Sequence, residues 1–298
     1  MKKIFVVIIA TCLLGTSLQA QQSIDIEAHQ GGSALLPGNT IPAMLNAVKL
    51  GARTLELDCI ISADKKVVVS HDPFMSSMLM LKPNGDTITK AEERSLALYT
   101  MTYDSIKKYD AGMKFRDEFP DQIKMKAHKP LLSALIDSVE LYVKQHHLKP
   151  VYYNVETKSS PAGDDIYHPK PVAFVDLIMN VIKEKGIEDR VIIQSFDVRT
   201  LQALHTKYPG QKTALLVGNP AGFKKNIEML GFTPTYYSPN YLLVTEELVK
   251  DAHAAKIAVL PWTVNKEEDI KRMIDLQVDG IISDHPEILI RLLGSWQR

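Results

Sequence analysis

Short runs rich in β-branched and aliphatic residues recur at 24–28, 54–57, 67–70, 151–155, 191–194, 213–217, 235–237, 257–260 and 280–282. Most are brief and bounded by polar or turn-forming residues, which predicts strands. Between them, apolar positions repeat every three or four residues over 41–50, 171–185, 198–208, 245–255, 266–276 and 286–293, which predicts helices with one buried face. Thr245-Glu246-Glu247 and Asn265-Lys266-Glu267-Glu268 put a capping residue ahead of acids, so each marks a helix start. Strand alternating with helix implies a parallel sheet. About eight such units, with no glycine-rich dinucleotide loop after the first strand, fit a closed (β/α)8 TIM barrel better than an open doubly wound sheet.

Two stretches break the rhythm. From 72 to 129 the chain carries Gly, Pro and many polar residues without a convincing parallel strand, and reads as a small insertion after an early strand. Insertions on that side of a barrel usually shape the mouth of the site. Met75, Met78, Leu79, Met80 and Leu81 within it fit either a small core of its own or an apolar mouth. The other stretch is the N-terminus. Met1-Lys2-Lys3, an apolar run from Ile4 to Leu14 and a small-residue end at Ala20 predict a signal peptide over 1–20, periplasmic or secreted localisation, and one barrel domain over 21–298. The apolar run falls short of the about 20 residues a bilayer requires, so stable membrane insertion is not expected. A lipoprotein signal ending at Cys12 is the other reading of this segment.

Composition narrows the partners. With 45% hydrophobic and 23% charged residues the chain is neither disordered nor a disulfide-stapled miniprotein. Lys+Arg and Asp+Glu balance at 35 each, so no global positive field exists to hold nucleic acid. Cleavage after Ala20 removes Lys2, Lys3 and Cys12, leaving Cys59 as the only thiol and no disulfide to form.

The chemistry-bearing residues stand at strand ends. Glu56 and Asp58 are two apart on one strand and share a face, inward in a barrel. Two carboxylates so close repel, and they call for one divalent cation; hard oxygen ligands favour Ca2+ or Mg2+ over zinc. A solvent-facing strand edge is the other reading of that pair. Glu156 ends the run 151–155 in the same way and supplies a third carboxylate, with Lys158 two residues on as either an anion-binding group or an ordinary surface lysine. His29 closes the first strand and His71 closes the run 67–70. A single strand-end histidine is commonly structural, but two beside a carboxylate trio suit general acid–base work, such as phosphodiester cleavage. The other seven histidines, His168 and the pair His146-His147 among them, are expected at the surface. Trp262 ends a late strand, positioned either to stack on a ligand or to fill the barrel core.

Ala28-His29-Gln30-Gly31-Gly32, Pro37-Gly38-Asn39-Thr40, Leu55-Glu56-Leu57-Asp58 and Val69-Ser70-His71-Asp72-Pro73 resemble the glycerophosphodiester phosphodiesterase family. Asn154-Val155-Glu156-Thr157-Lys158, Trp262-Thr263-Val264-Asn265 and Asp279-Gly280-Ile281-Ile282-Ser283-Asp284-His285-Pro286 continue the resemblance in order and spacing. It implies a TIM barrel, a divalent cation and hydrolysis of glycerophosphodiesters to glycerol 3-phosphate and an alcohol. By position, Glu56, Asp58 and Glu156 match the metal ligands, His29 and His71 the acid–base pair, and Lys158 a phosphate-side lysine. Two positions depart: Gln30 stands where the family usually has a phosphate-gripping arginine, and Gly38 where it usually has glutamate. A neutral amide grips phosphate more weakly than a guanidinium. A phospholipase-type diesterase of the same superfamily and a non-catalytic phosphate-binding barrel are the two alternatives.

Overall fold

The computed structural model describes residues 24–297; the signal-peptide segment lies outside the described residues. Nine strands follow in chain order: β1 (Asp25–Ala28), β2 (Thr54–Ile61), β3 (Val67–Val69), β4 (Tyr152–Thr157), β5 (Val191–Ser195), β6 (Lys212–Val217), β7 (Tyr236–Pro239), β8 (Ala258–Val259) and β9 (Gly280–Ser283). Eight of them form one parallel sheet in the order β8-β7-β6-β5-β4-β2-β1-β9. Backbone bonds from Asp279 N to Val259 O and from Ile282 N to Pro261 O, both 3.0 Å, draw the two ends of that sheet together. The result is a (β/α)8 barrel.

The helices are α1 (Ile41–Leu50), α2 (Tyr103–Ile106), α3 (Leu132–Gln145), α4 (Pro171–Lys185), α5 (Val198–Lys207), α6 (Phe223–Leu230), α7 (Glu246–Ala254), α8 (Glu267–Asp275) and α9 (Pro286–Leu293). All but the one-turn α2 belong to the barrel. Local chemistry sets several ends: Thr40 caps α1 by accepting from Ala43 N, and Thr245 caps α7 by accepting from Leu248 N. Neither α3 nor α6, which the periodicity reading leaves out, begins with a side-chain cap. Asn265 is not the cap of α8; its amide is committed to Asp284 instead.

The run 67–70 is a strand but not a barrel strand. β3 turns back antiparallel on β2, pairing Cys59 with Val69 and Ile61 with Val67. β2 climbs past the rim and β3 descends, so His71 returns to the level of Asp58, whose carbonyl accepts from Ser70 N at 2.9 Å. The following excursion carries a second core, in which Met75, Met80, Ile88, Leu98 and Ile106 pack on Ile60 and Val68 of the hairpin. Burying each such side chain contributes roughly 1.5–3 kcal/mol. Of the Met/Leu run, Met75 and Met80 are interior, while Met78 is 71% exposed.

Every residue of β2 is buried. Leu55, Leu57 and Cys59 turn into the main core between sheet and helices, and the alternate residues Glu56 and Asp58 turn into the barrel.

Candidate active site

At the C-terminal end of the barrel, Glu56, Asp58 and Glu156 bring carboxylate oxygens within 4.8 Å of one another, and all three side chains are buried. Register explains the meeting: β2 and β4 pair directly, with Asp58 opposite Glu156. Glu56 and Asp58 are oriented from behind. Glu56 accepts from Gln194 Nε2 at 2.7 Å on one oxygen and from Gln30 N at 2.9 Å on the other. Asp58 Oδ2 accepts from Asn39 Nδ2 at 2.7 Å and Gln30 Nε2 at 3.0 Å. Asp58 Oδ1 is buried, accepts no hydrogen bond and faces Lys158 Nζ at 3.5 Å. Lys158 also pairs with Glu156 at 3.0 Å.

The electrostatics are those of crowded acids. Burial, then repulsion from Asp58, pushes Glu56 up to about 8. Burial raises Glu156 to about 7 against the pull of Lys158. Asp58 is opposed by burial but held well below the usual carboxylate range by Lys158 and both histidines. Three hard oxygen donors, one with an unused buried lone pair, fit a divalent cation. Cys59, although adjacent in sequence, points into the apolar core, where burial raises its thiol well above the usual range, so it is no ligand.

The two histidines reach this cluster by different routes. His29 leaves β1 on a single 3-10 turn, His29–Gly31, which packs on the start of α1. Gly31 has φ +82, and a Cβ there would lie 2.8 Å from Met44 N, so only glycine permits that approach. His29 Nδ1 lies 2.6 Å from Asp284 Oδ1, and its Nε2 lies 3.9 Å from Glu56 Oε2. Burial would lower the His29 pKa, but Asp284, Glu56 and Asp58 together raise it to about 10. Asp284 is opposed by burial and is lowered to about 2, chiefly by His29. His71 is more open, with its Nδ1 3.1 Å from Asp72 Oδ1.

His29, His71, Glu56, Glu156 and Lys158 line one cavity of about 140 Å³, with Trp262 on its wall. Trp262 Nε1 donates to Ser238 O at 2.8 Å, and its ring meets Phe196 edge-on at 5.3 Å. A second cavity of about 230 Å³ continues past His71 and Lys158 toward Ser160 and Tyr167. A cleft of about 490 Å³ between Lys82 and His128 in the insertion contains none of these residues.

Gln30 lines neither of the two site cavities; its amide is turned onto Asp58. His168 is not at the surface. It is 2% exposed, its Nε2 accepts from Ser160 N at 3.0 Å, and it fixes the loop that follows Lys158. The sequence reading gives no site role to Asp284, Gln194, Asn39 or Asn265, although three of them lie in the strings that carry the resemblance. Asp284 closes β9 as Glu156 closes its own run, so the strand-end criterion alone would have found it.

A parallel eight-stranded barrel with a carboxylate trio, a lysine and two histidines at its C-terminal mouth is a barrel enzyme, with these groups where such enzymes keep their active sites. Residues 29–288 match the glycerophosphoryl diester phosphodiesterase family, and the chain belongs to that family. It is 32% identical over 270 residues to a glycerophosphodiester phosphodiesterase of Caldanaerobacter subterraneus, covering 89% of this chain and 96% of that one. A solved structure from Silicibacter pomeroyi assigned to the same family superposes with a TM-score of 0.82 at 30% identity, covering 92% and 96% of the two chains. An Oleispira antarctica phosphodiesterase in complex with sn-glycerol-3-phosphate shares the fold, with a TM-score of 0.72 at 21% identity, covering 92% and 98%.

Proposed function

We propose that this protein hydrolyses glycerophosphodiesters to glycerol 3-phosphate and an alcohol, with one divalent cation, Ca2+ or Mg2+, held by Glu56, Asp58 and Glu156. The observation that carries this reading is the joint placement of two histidines and a lysine around a buried trio of acids. When bound, the cation supplies Lewis acidity toward a phosphate oxygen. The remaining work falls to side chains. Lys158, held between Glu156 and Asp58, adds positive charge where a phosphate enters. Asp284, 2.6 Å from His29 Nδ1, stabilises the imidazolium from the side away from the cation cluster, which suits His29 to protonate the leaving oxygen. His71, more open and held at Nδ1 by Asp72, is the proton acceptor.

The test is release of glycerol 3-phosphate from glycerophosphocholine and glycerophosphoethanolamine. Chelation with EDTA should abolish turnover, and Ca2+ or Mg2+ should restore it. Glu56→Gln, Asp58→Asn and Glu156→Gln should each weaken cation binding in calorimetric titrations, since each removes one ligand charge. Full activity in EDTA, or cation affinity unchanged in all three variants, refutes the cation assignment. No release from either diester refutes the substrate assignment.

A further inference from the structure

We infer that Gln30 and Gly38 act as one unit that fixes Asp58 and sets how tightly the carboxylate cluster holds a divalent cation. This rests on the cation reading proposed above. Gln30 sits in the left-handed region, with φ 52 and ψ 25, and so presents main chain and side chain to the cluster at once. Its N–H donates to Glu56 Oε2 at 2.9 Å, and its Nε2 donates to Asp58 Oδ2 at 3.0 Å. One residue therefore orients two of the three carboxylates.

Gly38 makes that orientation possible. A Cβ at this position would lie 2.6 Å from Gln30 Oε1, 3.0 Å from Gln30 Cβ and 2.9 Å from Ser33 Cβ. The Gln30 carboxamide lies in space that any side chain at 38 would claim. Gly38 is not among the residues with positive φ, so it serves here for room and not for backbone freedom. The neighbouring Asn39 closes the arrangement: its N–H donates to Gln30 O at 2.9 Å, and its Nδ2 reaches the same Asp58 oxygen at 2.7 Å. Two neutral amides thus occupy Oδ2, and Oδ1 is left buried without a hydrogen bond.

The charge argument follows from that geometry. A neutral amide cancels none of the negative charge that Lys158 leaves on the cluster, whereas a cationic side chain at 30 would cancel more of it and repel a divalent ion at short range in a poorly screened site. Gln30 therefore acts on the cation through Asp58, as a positioning residue.

Calorimetric titration of chelator-stripped protein with Ca2+ and with Mg2+ tests this without reference to turnover. Gln30→Arg should weaken both cations by about 10- to 100-fold, the size expected for one added charge near the cluster. Gln30→Met keeps the length but carries no donor; it should weaken binding by about 3- to 10-fold and guards against a folding failure in the arginine variant. Gly38→Ala should weaken binding similarly by dislodging the carboxamide, and should cost less in a Gln30→Ala background, where the contact with Oε1 is gone and only those with Ser33 Cβ and the residue-30 Cβ remain. Binding by Gln30→Arg and Gln30→Met within about twofold of wild type, or full additivity of Gly38→Ala with Gln30→Ala, overturns the inference. Glu156→Gln separates the two levels. If it weakens binding while Gln30→Arg and Gln30→Met do not, only the role of Gln30 fails; if it too is silent, the cation reading has failed.

Discussion

Asp284 Oδ1 lies 2.6 Å from His29 Nδ1, so the last barrel strand supplies the partner for a histidine on the first, 255 positions away. The contact is closed off from behind. Ser33 Oγ donates to the same carboxylate oxygen, Asn265 Nδ2 reaches the other at 2.8 Å, and Asn265 Oδ1 accepts from Asp284 N at 3.0 Å. The carboxylate is therefore held on both oxygens, and it orients the ring with Nε2 turned toward Glu56 and the cavity. Orienting an imidazole through its far nitrogen is a recurrent way to set its tautomer and its direction of proton transfer.

Asp284→Asn should lower kcat by roughly 10²–10⁴ while leaving the fold intact, because it removes both orientation and charge from the proposed acid. Stability gives an independent readout in chelated protein. The folded pKa of His29 is raised to about 10, so its contribution is full below the unfolded value and is lost as pH rises through about 10. Asp284 is lowered to about 2, so its contribution is present above the unfolded carboxylate value and is lost as pH falls through about 2. The Tm gap between wild type and variant should be widest from about pH 4 to 6.5 and should close toward pH 10. A gap that stays constant across thermal melts at those pH values excludes the ion pair as the source.

Loss of either histidine should lower kcat by roughly 10²–10⁴, but the two losses should respond differently to the leaving group. A nitrophenyl diester needs little help from an acid. It should restore His29→Ala toward wild type and leave His71→Ala slow. Rescue of His71→Ala alone would reverse the assignment, and rescue of neither would remove the acid role from both.

How far the sequence discloses this protein depends on the range of the interaction involved. The period of two on one strand is enough to aim Glu56 and Asp58 together, and α1, α4 and α9 end where their caps, prolines and glycines indicate. Direction is harder. The run at 67–70 is legible as a strand, but its antiparallel return depends on the turn at 62–66, which no periodicity reveals. The Asp284–His29 pair is out of local reach, and Asn265 resembles a helix cap in sequence while serving as the clamp on Asp284. His168 looks polar and exposed because nothing nearby in sequence indicates that it will accept from Ser160 N and be buried.

Export is a prediction from residues outside the described structure. Protein recovered from a bacterial periplasm or culture medium should begin near Gln21, as N-terminal sequencing would read, because a charged start, an apolar run and a small residue occur in that order. Retention of Met1-Lys2-Lys3 on protein from the native host would end the export proposal.

Gln30→Arg should have opposite effects on activity at high and low cation concentration. At saturating Ca2+ or Mg2+, a guanidinium at position 30 that reaches past Asp58 to the substrate phosphate adds a charge-assisted hydrogen bond where the Gln30 amide makes none, contributing on the order of 1–2 kcal/mol, or a gain in kcat/KM of roughly 5- to 30-fold. At low cation the same positive charge opposes loading of the cluster, and the variant should fall below wild type. The two activity curves should therefore cross as cation is titrated. Adding Gly38→Glu should move the crossing to lower cation concentration, because a carboxylate there offsets the new charge; the double variant removes the 2.6 Å contact with Gln30 Oε1, and the 2.9 Å contact with Ser33 Cβ remains for a local shift to relieve. Steady-state kinetics on glycerophosphocholine across a cation series would locate the crossing. If the arginine variant lies below wild type at every concentration, with or without Gly38→Glu, no phosphate contact is gained, and position 30 then has no role in binding substrate.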